Sequence, residues 1–162
     1  MSHVTESSCI ITNLDDAEAA AKRLGGVLRR NVKNMRWYAQ GFVDDSETWR
    51  SMFSDAEADR IAHLSKKERI AIINAAMSTC DHVISFPNAS YDVGLIAQGD
   101  GSFKIRWDEY GSGGLMPYMG DRDGGKFMQA YAVEAAKNAA ADSFVTETVR
   151  PDGTIELEIV YQ

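Results

Sequence analysis

The sequence predicts an α+β fold, in which helices lie on one face of an antiparallel β-sheet of five to seven strands. Two observations carry this prediction. A helical pattern over 126–142 precedes two β-rich runs at 144–150 and 154–161, and a polar turn separates these runs. Two further β-rich runs, 91–98 and 102–107, flank a glycine turn, which is typical of a β-hairpin. Hairpins pair antiparallel strands, so the predicted sheet is antiparallel.

The N-terminal part predicts a strand, a helix and a second strand. Residues 4–12 have the composition of a strand, and Asn13 or Asp15 is suited to cap the helix that follows. The apolar stripe of that helix consists of Leu14, Ala17, Ala21 and Leu24. A glycine pair ends the helix, and 27–32 predicts the second strand. The aromatic-rich segment 35–43 is predicted to be extended.

Residues 44–80 differ in pattern from the flanking strands and predict a helical insertion. Ser65 and Glu68 have the spacing of a capping box, in which a serine caps a helix and a glutamate three residues on bonds back to it. Ser54 begins an earlier helix, and a short helix is predicted around Trp49.

The sheet resumes at 82–86 and continues through the hairpin described above. A glycine-rich loop follows at 108–125, and a loop of this length inside a compact domain is usually functional or mobile. The chain length predicts a single domain, 1–162, that is large enough for a substantial core.

The final strand alternates cleanly between apolar and acidic residues. One face carries Ile155, Leu157, Ile159 and Tyr161. Glu156 and Glu158 point the other way, as expected of a half-buried strand. The helix at 126–142 is expected to cover the apolar face. With the helix near 14–24 on the same side of the sheet, the arrangement is predicted to be ferredoxin-like.

The formal net charge of −7 disfavours nucleic acid and anionic membranes as partners, because like charges repel. Two cysteines and the lack of a basic-then-apolar leader favour free thiols, no secretion signal and a cytoplasmic protein. No apolar run is long enough to predict a membrane span.

Three stretches together resemble a known family: the opening 2–15, the hairpin 91–107 and the ending 131–161. They are similar to the hypothetical-chloroplast-reading-frame-thirty-five family of plastids, cyanobacteria and some bacteriophages. The similarity covers about two thirds of the chain and excludes 44–80 and 108–125. It implies an elaborated member of the family in a bacterial cell, with a phage gene as an alternative origin. The family implies no reaction or active-site residues, and it suggests an AAA-type ATPase as a partner.

The segment from Gly120 to Lys126 has the spacing of a phosphate-binding loop up to its lysine. Phe127 then replaces the Ser or Thr that would hold Mg²⁺, so a loop entering a helix explains the same residues. The backbone N–H groups at Gly125 and Lys126 are still suited to bind a lone carboxylate from a partner. Asp121 and Asp123 have the spacing of the first two ligands of a calcium-binding loop, but the remaining ligands are missing.

Cys80 and His82, with His63 or Cys9, are a further candidate for a metal site or a nucleophilic pair. The Cys-x-His spacing is too short for a usual zinc clamp, and buried cysteine is usually a small apolar residue. We therefore expect no metal ion and no cofactor.

Two groups of residues are candidates for binding. A ligand or anion site is suggested by the basic residues Arg29, Arg30, Arg36, Arg106 and Lys126. A protein-partner site is suggested by the aromatic residues Trp37, Tyr38, Trp49 and Phe53. The alternative is that the basic residues form a solvated strand face and the aromatic residues belong to the core.

No catalytic constellation is visible, so the first functional hypothesis is a non-enzymatic protein-binding module, an adaptor or inhibitor of a larger assembly. The second is a binder of a small molecule or nucleotide, through the basic segment 29–38 and the glycine-rich loop. The third is an enzyme whose site has no recognisable motif.

Overall fold

The computed structural model describes residues 4–37, 43–44 and 46–161. The strands are β1 Val4–Ile11, β2 Val27–Arg30, β3 His82–Ser85, β4 Asp92–Ala97, β5 Phe103–Asp108, β6 Phe144–Val149 and β7 Ile155–Val160. The helices are α1 Leu14–Arg23, α2 Ser46–Arg50, α3 Asp55–Ala62, α4 Lys66–Ser78, α5 Met116–Met119 and α6 Gly125–Ala139. The predicted helices and strands are thus confirmed to within a few residues at their ends, whereas most of the segment 35–43, which was predicted to be extended, lies outside the described residues.

The main sheet has five strands in the order β1-β5-β4-β3-β2, and every neighbouring pair is antiparallel. β2 to β5 form a meander, and β1 lies on the far side of β5. The α+β class and the antiparallel sheet are confirmed, whereas this strand order does not confirm a ferredoxin-like topology. β6 and β7 form a separate two-stranded sheet instead of extending the main one.

α1 and α6 pack together on one face of the main sheet, here called the helix-covered face. The Asn13 side chain caps α1 by accepting the N–H groups of Asp15 and Asp16 at 2.8 and 3.2 Å. Three alanines of α1, Ala17, Ala20 and Ala21, are fully buried, so the helix lies close to its neighbours. The Tyr131 hydroxyl of α6 accepts the N–H groups of Thr12 and Asn13 at 3.0 and 3.2 Å. This contact joins α6 to the junction of β1 and α1.

The helical insertion is confirmed, and it has a small core of its own. Trp49, Ile61 and Ile73 are at most 1% exposed, and they pack together away from the main core. The predicted capping box at Ser65 is present, and Ser54, which was predicted only to begin a helix, forms a second capping box with Glu57. The end of α4 reaches the other face of the main sheet, here called the opposite face.

The glycine-rich segment contains a 3₁₀ turn, Gly111–Gly113, and the short helix α5. Leu115 and Met119 are at most 1% exposed and belong to the main core. Tyr118 stacks on Phe86 with 4.1 Å between ring centroids. The segment is therefore a packed part of the fold, and the prediction of a long loop without helical structure is corrected.

The β6–β7 hairpin lies against α6, as expected from its alternating pattern. Its register runs from Phe144 opposite Val160 to Val149 opposite Ile155 without a bulge. Within the described part of the chain, no helix combines the length and apolarity needed to cross a membrane.

Candidate functional site

Strand alternation separates the two arginines at the end of β2. Arg30 lies on the helix-covered side and bonds Asp15 and Glu18 of α1 at 2.5 and 2.7 Å. Arg29 lies on the opposite face, where its Nε donates to Ser85 Oγ at 3.1 Å. Neighbouring residues on a strand point to opposite faces, so these two cations cannot share one ligand.

The opposite face instead gathers Arg29 and Arg36 around Asp92, whose side chain is fully buried. The Arg36 Nε lies 3.1 and 3.0 Å from the two carboxylate oxygens, and its Nη2 lies 2.8 Å from one of them. The backbone N–H of Arg36 donates at 2.9 Å, and Ser85 Oγ donates at 2.9 Å. Arg29 Nη2 lies 3.4 Å from the same carboxylate. We call these four residues the Asp92 cluster.

Burial by itself would raise the pKa of the Asp92 carboxyl, because a charged group loses its hydration. The hydrogen bonds from Arg36 and Ser85 outweigh burial and hold the pKa of Asp92 below its ordinary value. The side-chain hydrogen bonds from Arg36 to the Asp92 carboxylate also raise the pKa of Arg36. Asp92 is therefore ionised at neutral pH, and its two arginines leave the cluster with one net positive charge.

The other two predicted ligand residues hold separate segments together. Arg106 bonds Glu6 on β1, with Nε and Nη2 at 2.9 and 2.5 Å, and its Nη1 lies 3.3 Å from the Thr79 carbonyl oxygen. Lys126 Nζ donates to the Pro117 carbonyl at 2.6 Å. Of the five predicted cations, the structure brings together only Arg29 and Arg36.

A groove of about 550 Å³ lies between the segment 34–37 and α4. Its lining includes Arg36, Trp37, Asn74 and Tyr91, so it combines aromatic, amide and cationic groups. A smaller recess of about 340 Å³ is bordered by Arg36 and Ser85. The Asp92 cluster therefore lies between two concave surfaces, and Arg36 lines both.

The predicted aromatic partner residues do not form one surface. Trp49 is 1% exposed and contacts Phe53 edge-to-face at 6.4 Å between ring centroids. It is a core residue of the insertion, which corrects its assignment to a partner surface. Phe53 is half-buried beside it, Trp37 lines the groove, and Tyr38 lies outside the described residues.

The side chains of Cys80 and His82 bond to different backbone groups. Burial raises the pKa of the Cys80 thiol to about 11, and this thiol donates to the Val32 carbonyl oxygen at 3.3 Å. His82 Nδ1 accepts the Asn31 N–H at 2.9 Å, and burial lowers the pKa of His82. Among the residues that the structure describes, no group of three or more potential metal ligands occurs.

The start of α6 is bound by a carboxylate from the chain itself. Asp121 Oδ1 accepts the Gly125 N–H at 2.9 Å. The sequence predicted that a carboxylate suits this position but assigned it to a partner. Asp121 lies only four residues before Gly125 and reaches it first, so that assignment is corrected.

Sequence reasoning missed the exposed surface of the β6–β7 hairpin. The inner row of the hairpin, which faces the helices, includes Glu147, Val149, Ile155, Leu157 and Ile159, and the outer row includes Phe144 and Val160. We define the hairpin surface as the outer-row pair Phe144 and Val160, which are 69% and 54% exposed and lie opposite each other. Val149 and Tyr161 are also exposed, but Val149 lies at the end of the inner row and Tyr161 follows the end of β7. Tyr161 was expected on the covered face with Ile155. A signal was present in the sequence, because Phe144 and Val160 fall outside the covered row of the alternating pattern.

Comparisons with protein-family models, with curated proteins and with solved structures found no match for this chain. The resemblance to the hypothetical-chloroplast-reading-frame-thirty-five family therefore stays a prediction from the sequence.

Proposed function

We propose that this protein is a non-enzymatic protein-binding module, an adaptor or inhibitor, and that it docks on a larger protein through the hairpin surface. The observation that carries the proposal is the exposure of Phe144 and Val160, which lie directly opposite each other on the outer face of the hairpin. Single exposed apolar residues need no explanation, whereas large apolar neighbours on one open face form a patch that a partner can cover.

Burial of the outer face of the hairpin would favour partner binding energetically. Phe144 and Val160 are directly opposite each other in the register and are 69% and 54% exposed. Fully burying a side chain of this kind contributes about 1.5–3 kcal/mol. A partner that covers this pair therefore gains several kcal/mol before any polar contact is counted.

The family resemblance names an AAA-type ATPase as one class of larger partner, in the cytoplasm of a bacterium or of a phage-infected cell. The net charge of −7 supports a partner surface that is basic around an apolar centre, and it disfavours nucleic acid.

The test is co-purification of the full chain from lysate of its source cells, with quantitative mass spectrometry. The double variant Phe144→Ser, Val160→Ser removes the outer apolar pair. Val27→Ser is the matched control, because Val27 is 61% exposed on the edge strand of the main sheet, away from the hairpin. We expect the double variant to lose a partner that the wild type and the control both retain. Equal recovery of every partner by all three proteins would refute the proposal.

A second candidate function is small-molecule binding in the groove beside α4. The supporting observation is that Arg36, Trp37, Asn74 and Tyr91 line one concavity of about 550 Å³, within the usual size range of ligand pockets. An aromatic ring, an amide and a guanidinium suit a planar ligand that carries negative charge, such as a nucleotide.

Thermal denaturation with a panel of nucleotides tests this second candidate, because a ligand that binds only the folded state raises Tm. Asn74→Ala is the informative variant, since Asn74 lines the groove and is outside the Asp92 cluster. A Tm increase that is lost in Asn74→Ala would support the groove. No increase at millimolar nucleotide would exclude nucleotides as its ligands.

A further inference from the structure

We propose that the free edge of β7 binds an extended segment of the partner as a third β-strand, and that this segment carries lysine or arginine at alternate positions. The inference rests on the proposed function and names the chemistry of the partner. It follows from the open edges, the direction of the backbone groups of β7 and the charges of its two faces.

Four strands in the described part of the chain have an open edge: β1, β2, β6 and β7. Proteins protect such edges with bulges, short strands or charged residues, because a bare edge pairs with other chains. β1 contains a register shift between Glu6 and Ile10. β2 has only four residues and ends in Arg29 and Arg30. The two outer edges of the main sheet are therefore protected.

β6 is protected by a charged residue that points inward. Glu147 lies on the side of the hairpin that faces the helices, where it forms ion pairs with Arg23 of α1 and with Lys137 of α6 at 2.5 Å. An inward-pointing charge is one of the devices that block edge pairing. β7 has no charge on its inner row, no proline and no bulge over its six residues. Its two charges, Glu156 and Glu158, lie only on the outer row, so β7 is the least protected of the four edges.

The turn determines which backbone groups of β7 face outward. The Arg150 N–H donates to the Thr154 carbonyl oxygen at 2.8 Å, which makes these two residues the first hydrogen-bonded pair of the hairpin. Hydrogen-bonded and non-bonded pairs alternate along an antiparallel ladder. The N–H and C=O groups of Ile155, Leu157 and Ile159 therefore point away from β6. They form a row of donors and acceptors that one further strand would satisfy.

The side chains of β7 specify the sequence of that strand. Ile155, Leu157 and Ile159 on the inner row are only half-buried, so an apolar neighbour would complete their burial. On the outer row Glu156 bonds Arg150 at 2.7 Å, whereas Glu158 forms no ion pair within the described part of the chain. Opposite charges on neighbouring strands attract, so lysine or arginine is favoured beside Glu158.

The same charges disfavour a second copy of this chain. If two β7 strands paired antiparallel about Leu157, Glu156 of each copy would lie opposite Glu158 of the other. Like charges directly opposite each other destabilise a strand pair. A separate protein with a basic and apolar strand fits the edge better.

The first experiment uses two ten-residue probe peptides with the wild-type protein, one alternating lysine with valine and one alternating glutamate with valine. Binding is measured by calorimetry, and hydrogen exchange of single amides is measured by NMR. We expect at least tenfold tighter binding of the lysine peptide. We also expect at least tenfold slower exchange at the N–H groups of Ile155, Leu157 and Ile159. No slowing at these amides, or slowing only elsewhere, would overturn the proposal, as would a dimer of the protein through β7.

A third peptide separates edge pairing from simple charge attraction. It has the lysine–valine sequence with alternate backbone nitrogens methylated, so one of its edges cannot donate hydrogen bonds. We expect its binding to weaken at least tenfold, and equal binding would overturn the proposal. Glu158→Lys should reduce the preference for the lysine peptide, and an unchanged preference would overturn the choice of a basic strand.

Two variants separate this proposal from the proposed function. Leu157→Pro removes an outward N–H, and Leu157→Ala is its control because it keeps the N–H while removing the same side chain. We expect partner capture to be lost in Leu157→Pro and retained in Leu157→Ala. If Phe144→Ser, Val160→Ser abolishes capture but Leu157→Pro does not, the hairpin surface stands and the strand-pairing proposal fails. If neither changes capture, the proposed function fails as well. The peptide experiments on the wild type do not depend on how the proline variant folds.

Discussion

Asp92→Ala tests whether the Asp92 cluster holds the opposite face of the sheet together. The substitution leaves two arginines and Ser85 without the carboxylate that they bond at 2.8–3.4 Å. Removing one partner of a buried ion pair costs about 3–5 kcal/mol. The side chains of Arg29 and Arg36 are 44% and 56% exposed and regain water, which places the expected loss near the lower end, about 3 kcal/mol.

Urea denaturation followed by tryptophan fluorescence measures this loss. For a chain of this size, about 3 kcal/mol corresponds to a decrease in Tm of about 6–12 °C. Asp92→Asn is the matched control, because it keeps the shape and one acceptor oxygen while removing the charge, and it should cost less. A loss below about 1 kcal/mol for Asp92→Ala would refute the reasoning, since that is the range of an exposed ion pair.

The pH dependence of the free energy of unfolding provides an independent check on the direction of the Asp92 pKa shift. The pKa of Asp92 in the folded protein lies below its ordinary value of 3.8. A lowered pKa contributes stability that is fully present above the unfolded value and is lost as the pH falls through the folded value. The stability difference between wild type and Asp92→Asn should therefore be constant near neutral pH and shrink below about pH 4. A difference that grows on acidification would contradict the assignment.

Three further predictions concern packing and thiol chemistry. Gly113→Ala should lower the free energy of unfolding by about 1–3 kcal/mol in urea denaturation, because the added Cβ would lie 2.2 Å from the Tyr91 ring. Gly111→Ala is the control and should leave the stability unchanged, because a Cβ added there has no neighbour within 4 Å. Tyr131→Phe should cost about 1–2 kcal/mol in the same assay by leaving two backbone N–H groups without their acceptor, and a neutral result would contradict that role. In thiol titration at mildly alkaline pH, Cys9 should react before Cys80, whose buried thiol has a pKa of about 11, and rapid reaction of Cys80 in the folded protein would contradict its burial.

Elements with strong local signals were predicted well. The capping box at Ser65 and the side-chain cap at Asn13 both form, because a cap is a contact between residues two or three apart. The terminal hairpin also formed as expected, since its turn and its alternation are local. The glycine-rich segment was interpreted wrongly, because nothing local shows that Leu115 and Met119 enter the main core.

The candidate site was predicted in part. Arg36 and Arg29 were identified as candidates, but their shared contact, Asp92, was not. Asp92 was treated as the second residue of the predicted strand 91–98, and an acidic residue near a strand end is usually exposed. Its burial depends on two distant segments that meet on the opposite face, and no pattern in one sequence shows that meeting.

The sequence by itself determined the α+β class, the helical insertion and the alternating faces of the strands, because these follow from spacing over a few residues. Only the tertiary structure decided which cations meet, which aromatic residues are buried and which strand edge stays open. Those properties depend on how segments far apart in the chain pack together. The hairpin illustrates both kinds of information. Its strands were visible in the alternation of residues 144–161. Its separation from the main sheet, which leaves the edge of β7 free, accompanies packing against α6 and was not visible in the sequence.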